Sequence, residues 1–498
     1  MATIELRSQT AGVPPLTPEA TADVVFVDLD GTLIKTDLLW ESCLLALKQC
    51  PTAVPRLALT LLRGKAAFKQ ALAALVTPDA SLLPYNTQVV EELRRERRPV
   101  VLATASPGVW AEAVSAHLGI FADVLGSEGT QNLKGKEKLQ AIRAWCERHG
   151  QTGFAYYGDS KADLPIWGAS HEAVAVGPSA TVRRGLKAQS QPSRIIEPER
   201  GRRFPLLKVL RPHQWAKNVL LLVPLILAHA YQWPTLLSGL LAFAAFSLCA
   251  SAVYVLNDLL DVEADRRHPK KCRRPFAAGT LPILWGPPLA AGLTLAGIGL
   301  SLWLPPVFTA TLVAYMILTS LYSFWLKRKL IIDVLMLAGL YTLRIIAGGQ
   351  ATGTEVSEWL MAFSVFLFTS LAFAKRHAEL GRLAAEGHTR PNGRGYMVED
   401  LGLIESIGPA SGYIAVLVMA LYINSDRMKH IYANPWALWM ICPLLMYWIT
   451  RLWFVTRRGK LSEDPVIYAI RDRTSQLTGV AVVLLACLAS VPFKTWFV

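Results

Sequence analysis

Two hydrophobic rhythms divide the chain. Up to about residue 200, short apolar runs alternate with polar, turn-rich stretches; beyond Phe204, apolar runs of membrane-spanning length follow one another. In the first part, Val24–Val27, Val100–Ala103 and Phe154–Tyr157 are short β-branched, aliphatic or aromatic runs. Each ends in polar residues: Asp28-Leu29-Asp30-Gly31-Thr32, Thr104-Ala105-Ser106 and Gly158-Asp159-Ser160. Buried strands ending in carboxylates and hydroxyls put those groups at the C-terminal edge of a parallel sheet, where α/β folds bind ligands. The basic stretch Leu133–Trp145 has helical period, so the order of elements predicts a doubly wound α/β domain over 21–189. Residues 38–90 are apolar at helical spacing, including Leu38–Leu47 and Leu57–Val76, and predict a small helical cap between the first two strands.

The second part, 204–498, predicts an all-α membrane domain of about nine spans, near 218–233, 235–256, 283–304, 305–325, 330–349, 358–374, 403–424, 434–450 and 476–493. Between the two parts, 190–203 is polar, basic and proline-containing and reads as a linker. Residues 1–20 are a polar tail with no apolar core, so no signal peptide is predicted and the first domain is expected in the cytoplasm. With that side inside, the loops at 257–282, 326–329, 375–402 and 451–475 hold 20 Lys and Arg residues, against 3 on the opposite side (Arg427, Lys429 and Lys494). The asymmetry predicts a multi-pass protein of a bacterial-type cytoplasmic membrane with its C-terminus on the far face.

The net charge of +14 does not point to nucleic acid, because much of it sits in these short loops, where it meets lipid headgroups or phosphates. The seven cysteines form no CxxC pair, so neither a zinc site nor a disulfide framework is indicated.

The motif set of the soluble part is specific. DxDGT at Asp28–Thr32, a hydrophobic run into Thr104, a lysine, and GDSxxD at Gly158–Asp163 occur in that order, and the segment resembles the haloacid dehalogenase (HAD) superfamily over nearly its whole length. The resemblance implies Asp28 as nucleophile, Asp30 as general acid and base, Thr104 as hydrogen-bond donor to a transferring oxygen, and a lysine that neutralises phosphoryl charge. Lys134, Lys136 and Lys138 all lie within reach in sequence; the spacing Gly135-x-x-Lys138 favours Lys138. Asp28, Asp159 and Asp163 are implied as Mg²⁺ ligands.

In the membrane part the informative segment follows the second span, Asn257-Asp258-Leu259-Leu260-Asp261-Val262-Glu263-Ala264-Asp265. The spacing i, i+3, i+7 puts Asp258, Asp261 and Asp265 on one face of a helix. Grouped carboxylates repel unless a cation joins them, and Mg²⁺ bridging them to a diphosphate resolves the conflict. A cationic run including Arg273 and Arg274 comes next.

This NDxxDxxxD segment with its basic R-P continuation resembles the UbiA-type intramembrane prenyltransferase superfamily over roughly 205–498. Within it, the branch that transfers phosphoribose to polyprenyl phosphate is the nearer resemblance, through Arg211-Pro212, Gln214-Trp215, Lys217-Asn218, Tyr322-Ser323, Lys327, Lys375-Arg376-His377 and Asp464-Pro465-Val466. The second acidic DxxxD motif of aromatic prenyltransferases is absent after the sixth span. The resemblance therefore implies phosphoribosyl diphosphate as donor and polyprenyl phosphate as acceptor. Asn257, Lys217, Arg273, Arg274, Tyr322, Lys327, Lys375 and Arg376 would be the binding groups. Prenyl diphosphate with an aromatic acceptor is the competing pair, and Lys375 and Arg376 pairing with Glu379 is the structural alternative. Asp333 and Arg344, eleven residues apart in the fifth span, share a face and either pair or line a cavity.

Overall fold

The computed structural model describes residues 22–129, 132–189, 193–197, 205–389, 394–425, 432–461 and 464–490. The tail 1–20, much of the 190–203 linker, and Arg427, Lys429 and Lys494 lie outside them. The chain groups into two compact units: residues through Pro205 together with Asp258–Trp285, and Leu206–Asn257 together with Gly286 onward.

In the first unit six parallel strands form one sheet, β1 (Val24–Val27), β2 (Val100–Pro107), β3 (Asp123–Ser127), β4 (Phe154–Gly158), β5 (Glu172–Val176) and β6 (Ser193–Ile196), in the order β3-β2-β1-β4-β5-β6. Strand β1 is central, and all four of its side chains are fully buried. Alternation sends Val25 and Val27 into one core with Leu102, Val174 and the cap, and Val24 and Phe26 into another with Val101, Tyr156 and Trp145. A strand with both faces covered loses the polar alternation of a surface strand, which is why Val-Val-Phe-Val reads as a continuous apolar run. The chain leaves β1 toward β2 and returns on its other side at β4, so the order reverses at β1 and a crevice opens beyond its carboxyl end.

The cap stands between β1 and β2 as helices Leu38–Gln49, Val54–Leu59, Lys65–Leu75 and Thr87–Arg95, joined by short 3₁₀ turns. Part of the expected linker is instead β6. Arg194 pairs with Val174, and Ile196 is buried, so two adjacent isoleucines next to a sheet edge outweigh the polar composition around them.

Among the described residues eight helices are long and apolar enough to cross a membrane: Trp233–Leu260, Ile283–Ser301, Pro306–Phe324, Ile332–Thr352, Glu358–Ala385, Val398–Ile423, Pro435–Arg457 and Arg473–Ser490. The stretch 218–233 instead forms two short pieces, Ala216–Leu222 and Val223–Leu227, so eight full spans stand where about nine were expected. Pro224 at the junction cannot donate a backbone hydrogen bond, and an Ala-His-Ala-Tyr turn follows.

Candidate functional site

The centre of the first unit is built from three strand ends. Asp28 follows β1, where its backbone N–H bonds the Tyr157 carbonyl (2.9 Å). Its carboxylate accepts from the Leu29 N–H (2.8 Å) and meets Lys138 Nζ at 2.9 Å. Of the three candidate lysines, Lys138 alone is buried; Lys134 and Lys136 are exposed. Lys138 also donates to Tyr156 OH (3.0 Å), which in turn donates to Asp163 Oδ1 (2.9 Å). Asp163 accepts further bonds from the Ser160 N–H and hydroxyl, at 3.0 and 2.9 Å.

Asp30 is held from two sides. Leu38 N–H, at the start of the cap, donates to Oδ1 (2.8 Å), and Ser106 Oγ, at the end of β2, donates to Oδ2 (2.6 Å). Thr104 is fully buried and its Oγ1 accepts from the Ser106 N–H at 3.0 Å. Gly31, at φ +78°, lets the chain turn under Asp159; a Cβ there would stand 2.3 Å from Asp159 Oδ2.

Carboxylate oxygens of Asp28, Asp159 and Asp163 lie within 4.8 Å of one another. Three oxygen donors converging in a half-buried crevice suit a small hard cation such as Mg²⁺. Their titration says the same. Burial, with Asp28 and Asp163 alongside, pushes Asp159 up to about 8. Burial, with the Asp37 charge, pushes Asp30 up to about 7. Burial also raises Asp28, against the pull of Lys138. Burial opposes the Lys138 charge, but Asp28 and Asp163 outweigh it and hold the ammonium above its ordinary range. The centre carries more buried negative charge than Lys138 balances.

The acidic segment after the second span departs from one continuous helix. The helix ends at Leu260; Asp261 breaks it (φ −100°, ψ 10°) and a short helix runs from Val262 to Arg267. Asp258 and Asp265 are buried and converge on one nitrogen, Arg274 Nη1, at 3.0 and 2.5 Å. Asp261 lies to the side, partly exposed and 3.9 Å from Lys48. Two carboxylates thus share one cationic group at the position where the sequence called for a bridging cation. Arg273 sits one residue before Arg274 in a 3₁₀ turn.

In the second unit Lys217 and Lys375 converge on Asp464, at 2.7 and 2.9 Å, and Tyr341 OH adds a bond to the same carboxylate (3.2 Å). Asp464 caps the helix Pro465–Arg471 through the Val466 N–H. A shallow hollow beside this cluster is lined by Leu337, Leu371, Ala372 and Val466. Arg376 is placed differently: it is almost wholly buried against Asp333 (2.9 Å) and Glu379, so of the two expected cations one takes the structural pairing. Tyr322 OH donates to Asp333 Oδ1 (2.7 Å), which draws Tyr322 into that same network. Asn257 bonds Ser323 Oγ (3.0 Å), and Lys327 lies in the turn Leu326–Arg328. Arg344 does not meet Asp333; it donates to Asn218 Oδ1, Tyr315 OH and the Leu340 carbonyl.

Sequence reasoning passed over Ser106, Tyr156 and Asp464 as working groups. Ser106 and Asp464 stand in stretches that carried a signal, the polar end of β2 and the Asp-Pro of the last basic loop. Tyr156 looks like one more apolar strand residue, and only its hydroxyl partners mark it.

Comparison with known proteins extends this picture. A model of the UbiA prenyltransferase family matches 219–388, and a model of haloacid dehalogenase-like hydrolase matches 25–167. The uncharacterized protein y4nM of Sinorhizobium fredii is 38% identical over 461 residues, 91% of this chain and 88% of that protein. Nodulation protein NoeC of Azorhizobium caulinodans is 34% identical over 265 residues, 53% of this chain and 86% of that protein. Decaprenyl-phosphate phosphoribosyltransferase of Mycobacterium tuberculosis is 32% identical over 282 residues, 55% of this chain and 91% of that enzyme.

Proposed function

Because the chain belongs to the UbiA prenyltransferase family and carries a haloacid dehalogenase-like hydrolase domain ahead of its membrane spans, we propose that it transfers 5-phosphoribose from phosphoribosyl diphosphate to a polyprenyl phosphate, and that the hydrolase domain removes the 5-phosphate of the product. The observation that carries the transferase reading is the pair of lysines on Asp464, flanked by the apolar side chains of Leu337, Leu371, Ala372 and Val466. Two positive charges against one negative leave a surplus that suits a phosphate monoester, and the apolar wall suits the chain attached to it. A prenyl diphosphate donor would call for a second acidic cluster in this region, where the described acids Asp333, Glu379 and Asp464 are each already paired with lysine or arginine. The name of the M. tuberculosis relative supports transfer of a phosphoribosyl group to a polyprenyl phosphate.

In this reading Asp258, Asp261 and Asp265 are the residues that would hold Mg²⁺, with Arg274 giving up its bonds to Asp258 and Asp265 and Asp261 turning in from the side, and Asn257, Arg273 and Arg274 would bind the donor's diphosphate. Bound there, the metal would supply charge neutralisation to the leaving diphosphate. An oxygen of the lipid phosphate, oriented by Lys217 and Lys375, attacks the anomeric carbon. The bond from that carbon to diphosphate breaks, and no proton need move, since the attacking phosphate is already anionic.

The hydrolase centre has the parts for removing a phosphoryl group. An Asp28 oxygen forms a bond to phosphorus as the ester bond breaks, and Asp30 gives the leaving alkoxide its proton. A carboxyl group pushed up to about 7 retains that proton near neutrality. Water then attacks phosphorus, releasing Asp28 and returning a proton to Asp30. Ser106 and the Leu38 N–H hold Asp30 in place throughout. Asp28, Asp159 and Asp163 are the residues that would hold Mg²⁺, which lowers the charge of the phosphoryl group. The basic loop charges support placing this domain on the cytoplasmic side with the C-terminus opposite, which, beside eight full spans, requires the short pieces Ala216–Leu222 and Val223–Leu227 together to make the remaining crossing.

The test is made with membranes containing the full chain. Incubated with labelled phosphoribosyl diphosphate, Mg²⁺ and polyprenyl phosphate, they should yield a labelled lipid, and Asp258→Asn should abolish it. Asp28→Asn should leave transfer intact and make the 5-phosphorylated lipid accumulate. Labelled lipid formed only from prenyl diphosphate and 4-hydroxybenzoate would replace this reading with aromatic prenylation.

A further inference from the structure

The acidic segment is gripped by the hydrolase cap. Arg266, beside Asp265, points its guanidinium at Glu41 of the cap helix Leu38–Gln49 and makes two parallel bonds, 2.7 and 2.5 Å. Both side chains are enclosed, at 7% and 8% exposure, so this is a desolvated, forked pair and not a surface contact. The remaining donor, Nε, bonds the Ala277 carbonyl at 3.0 Å. Ala277 lies in the basic loop three residues past Arg274, the residue that joins Asp258 and Asp265. One guanidinium therefore ties three pieces together: the cap, the acidic helix and the basic loop.

A second contact lies further along the same loop. Gly279, at φ +67°, packs so tightly that a Cβ would stand 2.7 Å from Lys35 Cβ and 2.8 Å from the Lys35 carbonyl oxygen. Lys35 and Glu41 bracket Leu38, whose N–H orients Asp30. The weaker pairs Arg267–Asp79 and Lys48–Asp261 repeat the pattern at the rim. Cap carboxylates meet Arg266 and Arg267, and the cap's Lys48 meets Asp261.

We propose that Glu41 is a positioning residue of the transferase: through Arg266 it fixes the short helix bearing Asp265 and the loop bearing Arg274 in the arrangement that receives the diphosphate end of the donor. The cap is then part of the donor site's scaffold as well as the hydrolase's own cover. The inference rests on the reading of Asp258, Asp261 and Asp265 given above. It goes beyond that reading because no motif of either domain accounts for a carboxylate at position 41. Losing one partner leaves the other charged and buried, which the short helix can relieve only by moving.

The full chain in membranes is assayed as wild type, Glu41→Gln, Arg266→Gln and the double variant. Each single variant should raise the KM for phosphoribosyl diphosphate about tenfold, with kcat and the KM for polyprenyl phosphate within about twofold of wild type. The double variant should be no worse than either single one, as for two residues acting through one contact. Hydrolysis of 4-nitrophenyl phosphate, which depends on Asp28, should be unchanged in Glu41→Gln and shows that the first unit is folded. A wild-type donor KM in Glu41→Gln, additive losses in the double variant, or a fall in kcat alone would overturn the proposal. A wild-type protein that transfers no phosphoribose would instead sink the functional reading on which it stands.

Discussion

The hydrolase centre turns on a few charges. Lys138 faces Asp28 at 2.9 Å and Asp163 at 3.8 Å, with Asp159 close by, so one ammonium holds together three acids that otherwise repel. Lys138→Ala should lower kcat for phosphate-ester hydrolysis about 10³-fold, a loss of the size found when one preorganised charge is removed from a developing transition state. Steady-state hydrolysis of 4-nitrophenyl phosphate checks this, and a loss below tenfold would remove Lys138 from the chemistry. The raised carboxyls give a second expectation. An unfolded aspartate titrates near 4, whereas Asp159 stands at about 8 and Asp30 at about 7. A group raised on folding contributes stability that is complete below the unfolded value and is lost as pH climbs through the folded one. Without metal, the first unit should weaken steadily from about pH 4 to about pH 8. Mg²⁺ competes with those protons, so its stabilising effect should grow over the same window. Thermal melts of the full chain in detergent, with and without Mg²⁺ at pH 5.5 and pH 8, should show the larger metal-induced shift at pH 8. Equal shifts at both values would contradict it, and Asp159→Asn should flatten the difference.

Elements were legible in the sequence in proportion to how far local pattern decided them. Val24–Val27 and Phe154–Tyr157 read correctly because a strand buried on both faces needs no partner to explain its apolar run. Strand β6 was lost inside a polar linker because its pairing with β5 comes from the sheet edge and not from its own four residues. The acidic segment shows the converse. Its i, i+3, i+7 spacing predicted one helix face, yet the helix breaks at Asp261, and it is Arg274, nine residues beyond Asp265, that brings Asp258 and Asp265 together. No local rule anticipates a partner supplied by a folded-back loop. The membrane helices raise a different point. Gly348, within Ile332–Thr352, lies against the short piece Ala216–Leu222 so closely that a Cβ would fall 2.0 Å from the Leu221 carbonyl oxygen. That obstacle is backbone and cannot rotate away, and close approach through small residues is how membrane helices gain packing. Gly348→Ala should therefore cost about 1–3 kcal/mol by overpacking. It should also shift Lys217, four residues before Leu221, away from Asp464. Detergent melts would register the destabilisation, and the KM for polyprenyl phosphate would register the displacement. A variant neutral in both would show that the two backbones separate freely.

At the scale of the whole molecule, sequence similarity and compact structure cut the chain at different places. Similarity divides it between residues 167 and 219, since the hydrolase family model matches 25–167 and the prenyltransferase family model 219–388. Compactness instead assigns Asp258–Trp285 to the hydrolase unit. The acids of that segment are legible from sequence; the ownership of the segment is not, because Glu41 and Arg266 lie 225 residues apart in the chain. A fragment of residues 205–498 should still fold, as the membrane relatives of that length imply, but its acidic helix would lack Glu41, Asp79 and Lys48. The buried Arg266 would then face solvent or seek a new partner. Expressed alone, the fragment should bind polyprenyl phosphate like the full chain, while its KM for phosphoribosyl diphosphate rises about tenfold or more. Residues 1–204 supplied as a separate chain should restore much of that loss at micromolar concentration, because the contact is a desolvated, forked ion pair backed by a tight glycine approach. The same addition carrying Glu41→Gln should restore little. If the fragment alone matches the full chain for donor KM, the two catalytic centres share a polypeptide without sharing a scaffold, and the fusion would serve only to keep product near the second enzyme.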